Sequence, residues 1–564
     1  MNIPRPEYPN PQFERENWLN LNGEWDFIID NECSGEAKGY VNKDGFDQKI
    51  VLPFCPESKL SGIAHTDFMR SVWYKRSVTL TDEQLRNRVF LHIGACDYQT
   101  DIWVGDAHIG THKGGYTHFA FDVTAALKVG ENLITIRAID DTLSLTQPTG
   151  KQSERYESFG CYYTRTTGIW QTVWLEFVSD NYIKNFRFYP DADNASVTAV
   201  IEAEGYADAE MYVYYEGKQV GFAKANNCGS CYTLSTTLSE KHLWELGVGR
   251  LYDVVLKFGD DVVKSYFGLR SATMAGKKFL LNGQSVYQRL VLDQGFYPDG
   301  IYTAPNEDAL IKDIELSMAA GFNGARLHQK VFEPRFLYHC DKKGYIVWGE
   351  YPSWGFDFTE IVNVNIYINE WLESVARDFN HPAIVCWCPI NETWNRANEK
   401  RQDNEALRVI YNVTKAMDTT RPCIDTSGNF HVVTDIYDLH DYCQDTDEFD
   451  KHCKQFGLTG EPWDNFPERQ KYEGQPLCIS EYGGISLSDD GWGYGDKAKS
   501  VDEFIERYQK LTNSLLDYKE CFSFCYTQLY DVEQEINGLY DYYRNPKCDI
   551  SKIYEINTKK AAIE

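Results

Sequence analysis

Short runs in which apolar and polar residues alternate fill the first part of the chain. They lie at residues 88–93, 99–104 and 132–138, and turn-forming residues separate them. Alternation with a period of two predicts half-buried strands of antiparallel sheets. Residues 1–178 are therefore predicted to form a β-sandwich of the jelly-roll type.

A second alternating region follows at residues 179–270. Its clearest runs, residues 196–203 and 211–215, again place apolar side chains on one face of a strand. Strands of this kind over this length suit an immunoglobulin-like β-sandwich. We expect this domain to act as a spacer between the first domain and the rest of the chain.

From residue 271 onward, apolar runs alternate with segments of helical periodicity. This βα rhythm over residues 271–564 predicts a TIM (β/α)8 barrel, so the fold class is a multidomain chain with two β-sandwiches and a C-terminal barrel. The predicted helices lie at residues 306–320, 333–343 and 501–518. The predicted barrel strands lie at residues 286–292, 323–327, 345–350, 383–389, 422–425, 436–440, 477–480 and 522–528.

Two of the predicted barrel strands run out into a glutamate. Asn391-Glu392 follows the apolar run 383–387, and Glu481 follows the apolar run 477–480 and precedes two glycines. A single glutamate is most often a solvated surface charge, but the carboxyl ends of barrel strands form the catalytic rim. Two carboxylates there are the parts of a retaining glycosidase, in which one protonates the leaving oxygen and the other attacks the anomeric carbon.

The sequence around these glutamates resembles glycoside hydrolase family 2, the family of β-galactosidases, β-glucuronidases and β-mannosidases. The resemblance rests on Asn380-His381-Pro382 ahead of Asn391-Glu392, and on the later Ser480-Glu481-Tyr482-Gly483. Residues 5–27 also resemble the N-terminal domain of that family, so the resemblance covers nearly the whole chain. It implies that Glu392 is the acid/base, that Glu481 is the nucleophile, and that Asn391 binds the sugar 2-hydroxyl.

The resemblance also implies further residues that bind the substrate or support the nucleophile. Tyr442 matches the tyrosine that hydrogen-bonds the nucleophile, and Arg326 matches the arginine that supports it. The family pattern of Arg, two residues, then His is one residue shorter here, so Gln329 could occupy the usual His place. The full set of predicted substrate-binding residues is Asn391, Tyr442, Asp293, His328, Arg326, Trp394, Gln528 and His440.

The expected substrate sugar depends on a motif that binds carboxylates in β-glucuronidases and that this chain lacks. β-Glucuronidases grip the substrate carboxylate with Asn-x-Lys before the last turn, where this chain has Glu535-Ile536-Asn537. An acid there disfavours a uronic acid, so we expect an exo-glycosidase for neutral sugars, β-galactosidase-like in the first instance. Residues 291–295 differ from the familiar β-galactosidases of this family, so β-galactofuranosidase or α-L-arabinofuranosidase activity is the first alternative. β-Glucuronidase or β-mannosidase activity is the next.

Two other classes of function, a non-catalytic scaffold and a metal-dependent hydrolase, predict features that this sequence does not have. An inactive carbohydrate-binding scaffold predicts the loss of one carboxylate, and both are present. A metal-dependent hydrolase predicts a His-x-His or Asp/His cluster after the first barrel strand, and none follows. We expect no redox or organic cofactor, because the chemistry is acid/base and covalent. A structural Mg²⁺ or Na⁺, as in some relatives, stays open.

Charge and composition bear on partners and location. The formal charge of −28 disfavours nucleic acid and anionic membranes, and no apolar run reaches about 18 residues, the length of a membrane span. The polar, proline-broken N-terminus lacks the apolar core of a signal peptide, and the 16 cysteines are scattered singly, so we expect a cytoplasmic enzyme. The aromatic content of 15% suits a carbohydrate substrate. Members of the family that the chain resembles often assemble as dimers or tetramers, and the sequence does not determine whether this chain forms such a homo-oligomer.

Overall fold

The computed structural model describes residues 3–394, 399–487 and 491–564. No helix in these ranges is long and apolar enough to cross a membrane. Antiparallel sheets occupy the N-terminal half and a parallel sheet occupies the C-terminal half. The predicted fold class, two β-sandwiches followed by a TIM barrel, is confirmed.

The first domain is a sandwich whose two main sheets have the strand orders β1-β12-β5-β9 and β3-β2-β4-β10-β7-β8. Alternating apolar side chains fill the space between them, including Trp25, Leu91 and Ile136. The strands are β1 (Trp18–Asn20), β2 (Gly23–Ile29), β3 (Gln48–Leu52), β4 (Ser71–Leu80), β5 (Arg88–Ile93), β6 (Cys96–Asp97), β7 (Gln99–Val104), β8 (Ala107–Lys113), β9 (Phe119–Asp122), β10 (Gly130–Ile139), β11 (Gly168–Ile169) and β12 (Val173–Val178).

The second domain packs a three-stranded sheet, β13-β14-β17, against a four-stranded sheet, β16-β15-β18-β19. Its core is separate from that of the first domain and includes Phe186, Val213 and Leu256. The strands are β13 (Tyr182–Asp191), β14 (Ser196–Glu204), β15 (Ala207–Tyr215), β16 (Lys218–Cys228), β17 (Cys231–Thr237), β18 (Tyr252–Phe258) and β19 (Asp261–Phe267).

The barrel domain opens with a small antiparallel sheet of β20 (Ala272–Ala275), β21 (Lys278–Leu281) and β22 (Gln284–Ser285). Parallel strands and helices then alternate. The strands are β23 (Gln288–Asp293), β24 (Gly324–Leu327), β25 (Ile346–Glu350), β26 (Ile384–Cys388), β27 (Tyr437–Asp441), β28 (Leu477–Gly483) and β29 (Cys521–Thr527). The helices are α1 (Glu307–Ala319), α2 (Pro334–Lys343), α3 (Val364–Asp378), α4 (Asn404–Met417), α5 (Thr446–Thr459), α6 (Val501–Leu516) and α7 (Ile550–Asn557).

The parallel strands follow the order β26-β25-β24-β23-β29-β28-β27. The strand predicted at residues 422–425 is an irregular segment between β26 and β27. It has one isolated parallel bridge, Trp387 with Cys423, and a second one, Asn391 with Ser427, lies just beyond it. The Asp425 carboxylate explains the difference, because it accepts hydrogen bonds from the backbone N–H groups of residues 426, 432 and 433. These bonds turn the chain and compete with a continuous ladder.

The barrel helices begin and end where their capping residues predict. The Asn306 side chain accepts a hydrogen bond from the backbone N–H of Ala309 at the start of α1. Helix α2 has Pro334 in its first turn and ends at Gly344, whose φ of 65° is left-handed. These caps satisfy backbone groups that the helix ends would leave unpaired.

Candidate active site

The carboxyl ends of β26 and β28 bring Glu392 and Glu481 together. One carboxylate oxygen of each lies within 4.8 Å of the other and of a ring nitrogen of His440. Glu481 lies within β28 and is buried, whereas Glu392 follows β26 and its side chain is 22% exposed. Two residues that are far apart in sequence thus form one pair, as parallel strands of a barrel require.

Glu481 is held by groups that stabilise its ionised form. Its Oε1 accepts a hydrogen bond from the Arg326 guanidinium at 2.8 Å, and its Oε2 accepts one from the Tyr442 hydroxyl at 2.5 Å. Burial alone would raise the pKa of Glu481, but the charges of His440 and Arg326, with these hydrogen bonds, lower that pKa to about 2. Glu481 is therefore a carboxylate at neutral pH.

Arg326 connects several residues at the base of the site through hydrogen bonds. The guanidinium is fully buried and also donates to Glu350 at 2.7 Å and to the Asn391 side-chain oxygen. It thereby fixes Glu481, Asn391 and Glu350, which come from or follow three different strands. A planar group with five donors can hold several acceptors in one rigid arrangement.

Glu392 is presented by an unusual backbone conformation. Its φ is 39°, a left-handed value that is uncommon for a residue other than glycine. Its N–H donates to the carbonyl of Ser427 at 2.9 Å, which anchors the turn, and its Oε1 lies 2.8 Å from His440 Nδ1. Backbone strain of this kind clusters at functional sites.

His440 contacts both glutamates. Its Nδ1 lies 2.8 Å from Glu392 and 3.4 Å from Glu481, and its Nε2 lies 3.1 Å from the Ser427 hydroxyl. Burial would lower the pKa of His440, but the two carboxylates raise it above its ordinary value. A protonated His440 is a positive charge between two acids.

We expect His440→Asn to move the acid limb of the pH profile of kcat/KM upward by roughly one pH unit. Removal of a neighbouring positive charge raises the pKa of Glu481, so this group protonates at higher pH and the nucleophilic form is lost sooner. The profile should be measured with an aryl glycoside whose leaving group needs no acid. His339→Asn, on helix α2, is the control. If the pH profile of His440→Asn superimposed on that of the wild type, His440 would not lower the pKa of Glu481.

A cavity of about 440 Å³ opens beside Glu392. Its walls contain stacked rings, with His452 and Trp463 at a centroid distance of 4.1 Å. Its other lining side chains include Trp394, Arg401, Asn465 and Phe466. A larger cavity of about 520 Å³ is lined by residues of all three domains and does not include either glutamate. The smaller cavity is therefore the one that fits a substrate of this site.

The structure does not bring all the predicted residues to the two glutamates. Asp293 accepts hydrogen bonds from the Tyr530 hydroxyl at 2.6 Å and from the Gly295 N–H at 2.9 Å. Gln528 is buried and donates to Asn537 at 2.8 Å. In the part of the chain that the structure describes, no hydrogen bond or ion pair joins either residue to Glu392 or Glu481.

The other predicted residues lie nearer. Buried His328 has its Nδ1 within 4.0 Å of Glu481 and 3.1 Å from Glu350, without hydrogen-bond geometry. Trp394 is half exposed and packs edge-on against Trp354 at 5.6 Å. The Gln329 side chain donates to the Ser353 hydroxyl and accepts from the N–H of Trp354.

Sequence reasoning missed three residues of this region. Glu350 ends β25 and accepts from Arg326; the same strand-end signal that identified Glu392 could have found it. Trp354 donates its indole N–H to the Asn391 carbonyl at 3.0 Å. Lys151 comes from a loop of the first domain and lies against Trp354.

Glu392, His440 and Glu481 are also the group of acidic and histidine side chains in the described ranges whose spacing could hold a metal ion. However, His440 already bonds Glu392, and Arg326 and Tyr442 already donate to Glu481. A guanidinium in direct contact with a ligand oxygen repels a divalent cation. The donor set fits an acid/base pair better than a metal site.

A parallel barrel with two adjoining carboxylates on its catalytic rim, behind two β-sandwich domains, defines an O-glycoside hydrolase. Two family models match the chain. Residues 61–175 match the glycosyl hydrolases family 2 sugar binding domain, and residues 273–538 match the family 2 TIM barrel domain. The chain belongs to glycoside hydrolase family 2 and is an exo-glycosidase.

Individual relatives are distant. β-Glucuronidase of Homo sapiens is 24% identical over 554 residues, covering 89% of this chain and 82% of its own. A β-galactosidase of Thermoanaerobacter pseudethanolicus is 25% identical over 452 residues, covering 75% of this chain and 57% of its own. A β-glucuronidase structure from an uncultured Clostridium species has a TM-score of 0.82 at 20% identity, covering 97% and 99% of the two chains.

Proposed function

We propose that the protein is a retaining exo-glycosidase that acts by double displacement, with Glu481 as nucleophile and Glu392 as acid/base. The observation that carries this proposal is the closeness of the two carboxylates: one oxygen of Glu392 lies within 4.8 Å of one oxygen of Glu481. Retaining enzymes hold the two carboxyl groups about 5–5.5 Å apart, whereas inverting enzymes leave room for a water molecule at about 6.5–9.5 Å.

The surroundings support this division of roles. Glu481 is ionised and buried, as a nucleophile must be, and its pKa is about 2. It attacks the anomeric carbon while Glu392 gives its proton to the leaving oxygen. Glu392 then takes a proton from water, which attacks the glycosyl–enzyme ester and releases Glu481. The cavity beside Glu392 would receive the leaving group.

Asn391 would bind the sugar 2-hydroxyl in this scheme. Arg326 donates to the Asn391 side-chain oxygen, which leaves the amide NH₂ as the donor. Trp354 and Ser353 fix the Asn391 backbone through its carbonyl and N–H. An amide held from both sides can deliver a directed hydrogen bond without reorganisation.

We further propose a terminal neutral sugar, with a β-galactoside first. The support is Glu535, a buried carboxylate where β-glucuronidases have their carboxylate-binding residues. Burial raises the pKa of Glu535, although Lys151 and hydrogen bonds from Tyr163 and Asn537 act against the rise. A carboxylate here disfavours a uronic acid. The names of the curated relatives favour a β-glucuronide as the second candidate.

No metal ion is needed for this reaction, since the acid/base pair supplies both proton transfers. We therefore expect a chelator to leave kcat unchanged after dialysis. Loss of activity that added Mg²⁺ restores would contradict this expectation.

The substrate proposal is tested by release of nitrophenol from a panel of aryl glycosides. The panel contains the β-galactopyranoside, β-glucuronide, β-mannoside, β-galactofuranoside and α-L-arabinofuranoside. We expect the β-galactopyranoside to have the highest kcat/KM. If the β-glucuronide had the highest kcat/KM, the neutral-sugar proposal would be overturned. If a furanoside had the highest kcat/KM, the protein would be a furanosidase instead of a β-galactosidase.

A further inference from the structure

A loop of the jelly-roll domain docks into the barrel beside the two glutamates. The N–H groups of Thr149 and Gly150 donate to the Trp354 carbonyl at 2.8 and 3.1 Å. Gly150 has a φ of 59°, and a Cβ there would lie 2.6 Å from the backbone oxygen of Gln329. Only glycine permits this approach, so the backbone of the next residue, Lys151, is held at a fixed place against the barrel.

The side chain of Lys151 is buried, with 5% exposure. Its ammonium lies 3.9 Å from the ring centroid of Trp354, the residue that donates to Asn391. Within residues 3–394, 399–487 and 491–564, Lys151 Nζ has no hydrogen bond and no ion pair. A buried ammonium that uses none of its three donors is costly unless something else fills them.

Other buried lysines of this chain are satisfied internally. Lys330 Nζ donates to the carbonyls of Gly295 and Tyr302. Lys75 Nζ donates to the carbonyls of Tyr40 and Val41. Lys151 differs from both, because no hydrogen-bond acceptor for its ammonium lies among the residues that the structure describes.

The charges around Lys151 keep it protonated. Burial would lower the pKa of Lys151, but the carboxylates of Glu535, Glu481 and Glu392 contribute to raising it above the ordinary value. Glu535 accepts hydrogen bonds from Tyr163 and from Asn537 at 3.0 Å, and it does not pair with Lys151. The ammonium is therefore a charged donor, and the carboxylates of the site favour its charge.

We propose that Lys151 is a specificity-determining residue whose ammonium donates a hydrogen bond to one hydroxyl of the terminal sugar. This inference rests on the proposed neutral-sugar function. Three neighbouring carboxylates oppose an anionic partner, whereas a hydroxyl can accept from the ammonium and donate to a carboxylate. The jelly-roll domain thus contributes a sugar-binding side chain to the barrel.

The test compares the wild type with Lys151→Met, which keeps the stem over Trp354 and removes the charge. Arg155→Met is the matched control, because it removes an exposed cation from the same loop. With a neutral aryl glycoside, we expect Lys151→Met to lower kcat/KM about 10- to 100-fold, the value of a hydrogen bond from a charged donor. Arg155→Met should match the wild type.

Monodeoxy analogues of the same glycoside identify the hydroxyl. Removal of one particular hydroxyl should lower kcat/KM for the wild type but not further for Lys151→Met, whereas the other deoxy positions should affect both enzymes equally. The unfolding temperature of Lys151→Met should not fall, since the methionine side chain still covers Trp354 and no hydrogen bond or ion pair of the described structure is lost. A variant with a lowered unfolding temperature and equal losses at every position would show a structural lysine and overturn the inference.

The two proposals fail in different ways. If the wild type cleaves a neutral glycoside and Lys151→Met matches it, only the role of Lys151 is overturned. If the wild type cleaves the β-glucuronide alone, the neutral substrate is overturned, and a hydroxyl as the partner of Lys151 is overturned with it.

Discussion

Glu481→Gln is expected to lower kcat by about four orders of magnitude or more, which is the usual cost of removing an enzymic nucleophile. The amide cannot form the glycosyl ester, although it keeps the shape of the side chain. The fall should be seen with every aryl glycoside that the wild type hydrolyses, because bond formation at the anomeric carbon is common to all of them. Glu506→Gln, an exposed position on helix α6, is the control.

Rescue by azide distinguishes the loss of the nucleophile from the loss of the folded structure. In Glu481→Gly the space of the side chain is open, and azide can attack the anomeric carbon while the aryl oxide departs with its bonding electrons. Added azide should restore nitrophenol release and give a glycosyl azide of inverted configuration. If Glu481→Gln retains a tenth of wild-type turnover, or if azide gives only the retained product, Glu481 is not the nucleophile.

Glu392→Gln is expected to discriminate between leaving groups. General acid catalysis contributes about 10²- to 10⁴-fold where the departing oxygen is basic. Hydrolysis of an alkyl or sugar glycoside should therefore fall by about 10³-fold, whereas formation of the glycosyl enzyme from a dinitrophenyl glycoside should change little. Steady-state and single-turnover rates with both classes of substrate measure this difference.

The second chemical step provides an independent check on Glu392. Deglycosylation needs a general base, so the glycosyl enzyme of Glu392→Gln should accumulate with the dinitrophenyl substrate and appear as a burst of phenol. Azide should speed its release and give the retained product, opposite to the outcome for Glu481→Gly. Equal losses for all leaving groups, without a burst, would show that the acid assignment is wrong.

The sequence by itself was informative wherever the signal was local. Period-two alternation and the βα rhythm predicted the fold class, because each strand or helix buries one face regardless of its partners. Helix ends followed caps such as Asn306 and Gly344. Glu392 and Glu481 were identified for the same reason: each follows or ends an apolar run, and barrel strands put such residues on one rim.

Predictions that depended on partners far along the chain were less complete. The segment 422–425 reads as a strand, but the Asp425 carboxylate binds backbone groups at residues 432 and 433 and interrupts the pairing. Asp293 ends the barrel strand β23, yet its carboxylate accepts hydrogen bonds from Tyr530 and Gly295, and no hydrogen bond or ion pair among the described residues joins it to either glutamate. A strand-end position thus predicts the rim of the barrel but not which side chains reach the substrate.

What the sequence determined about this protein is its architecture, its family and its pair of glutamates, since these depend on patterns within a few neighbouring residues. The resemblance implied that Tyr442 and Arg326 contact Glu481, but only the tertiary structure decided that Arg326 also binds Asn391 and Glu350 and that His440 joins both acids. It also placed Lys151, from another domain, against Trp354. Such contacts join residues that are far apart in the sequence, and their energies depend on burial and distance, which exist only after folding.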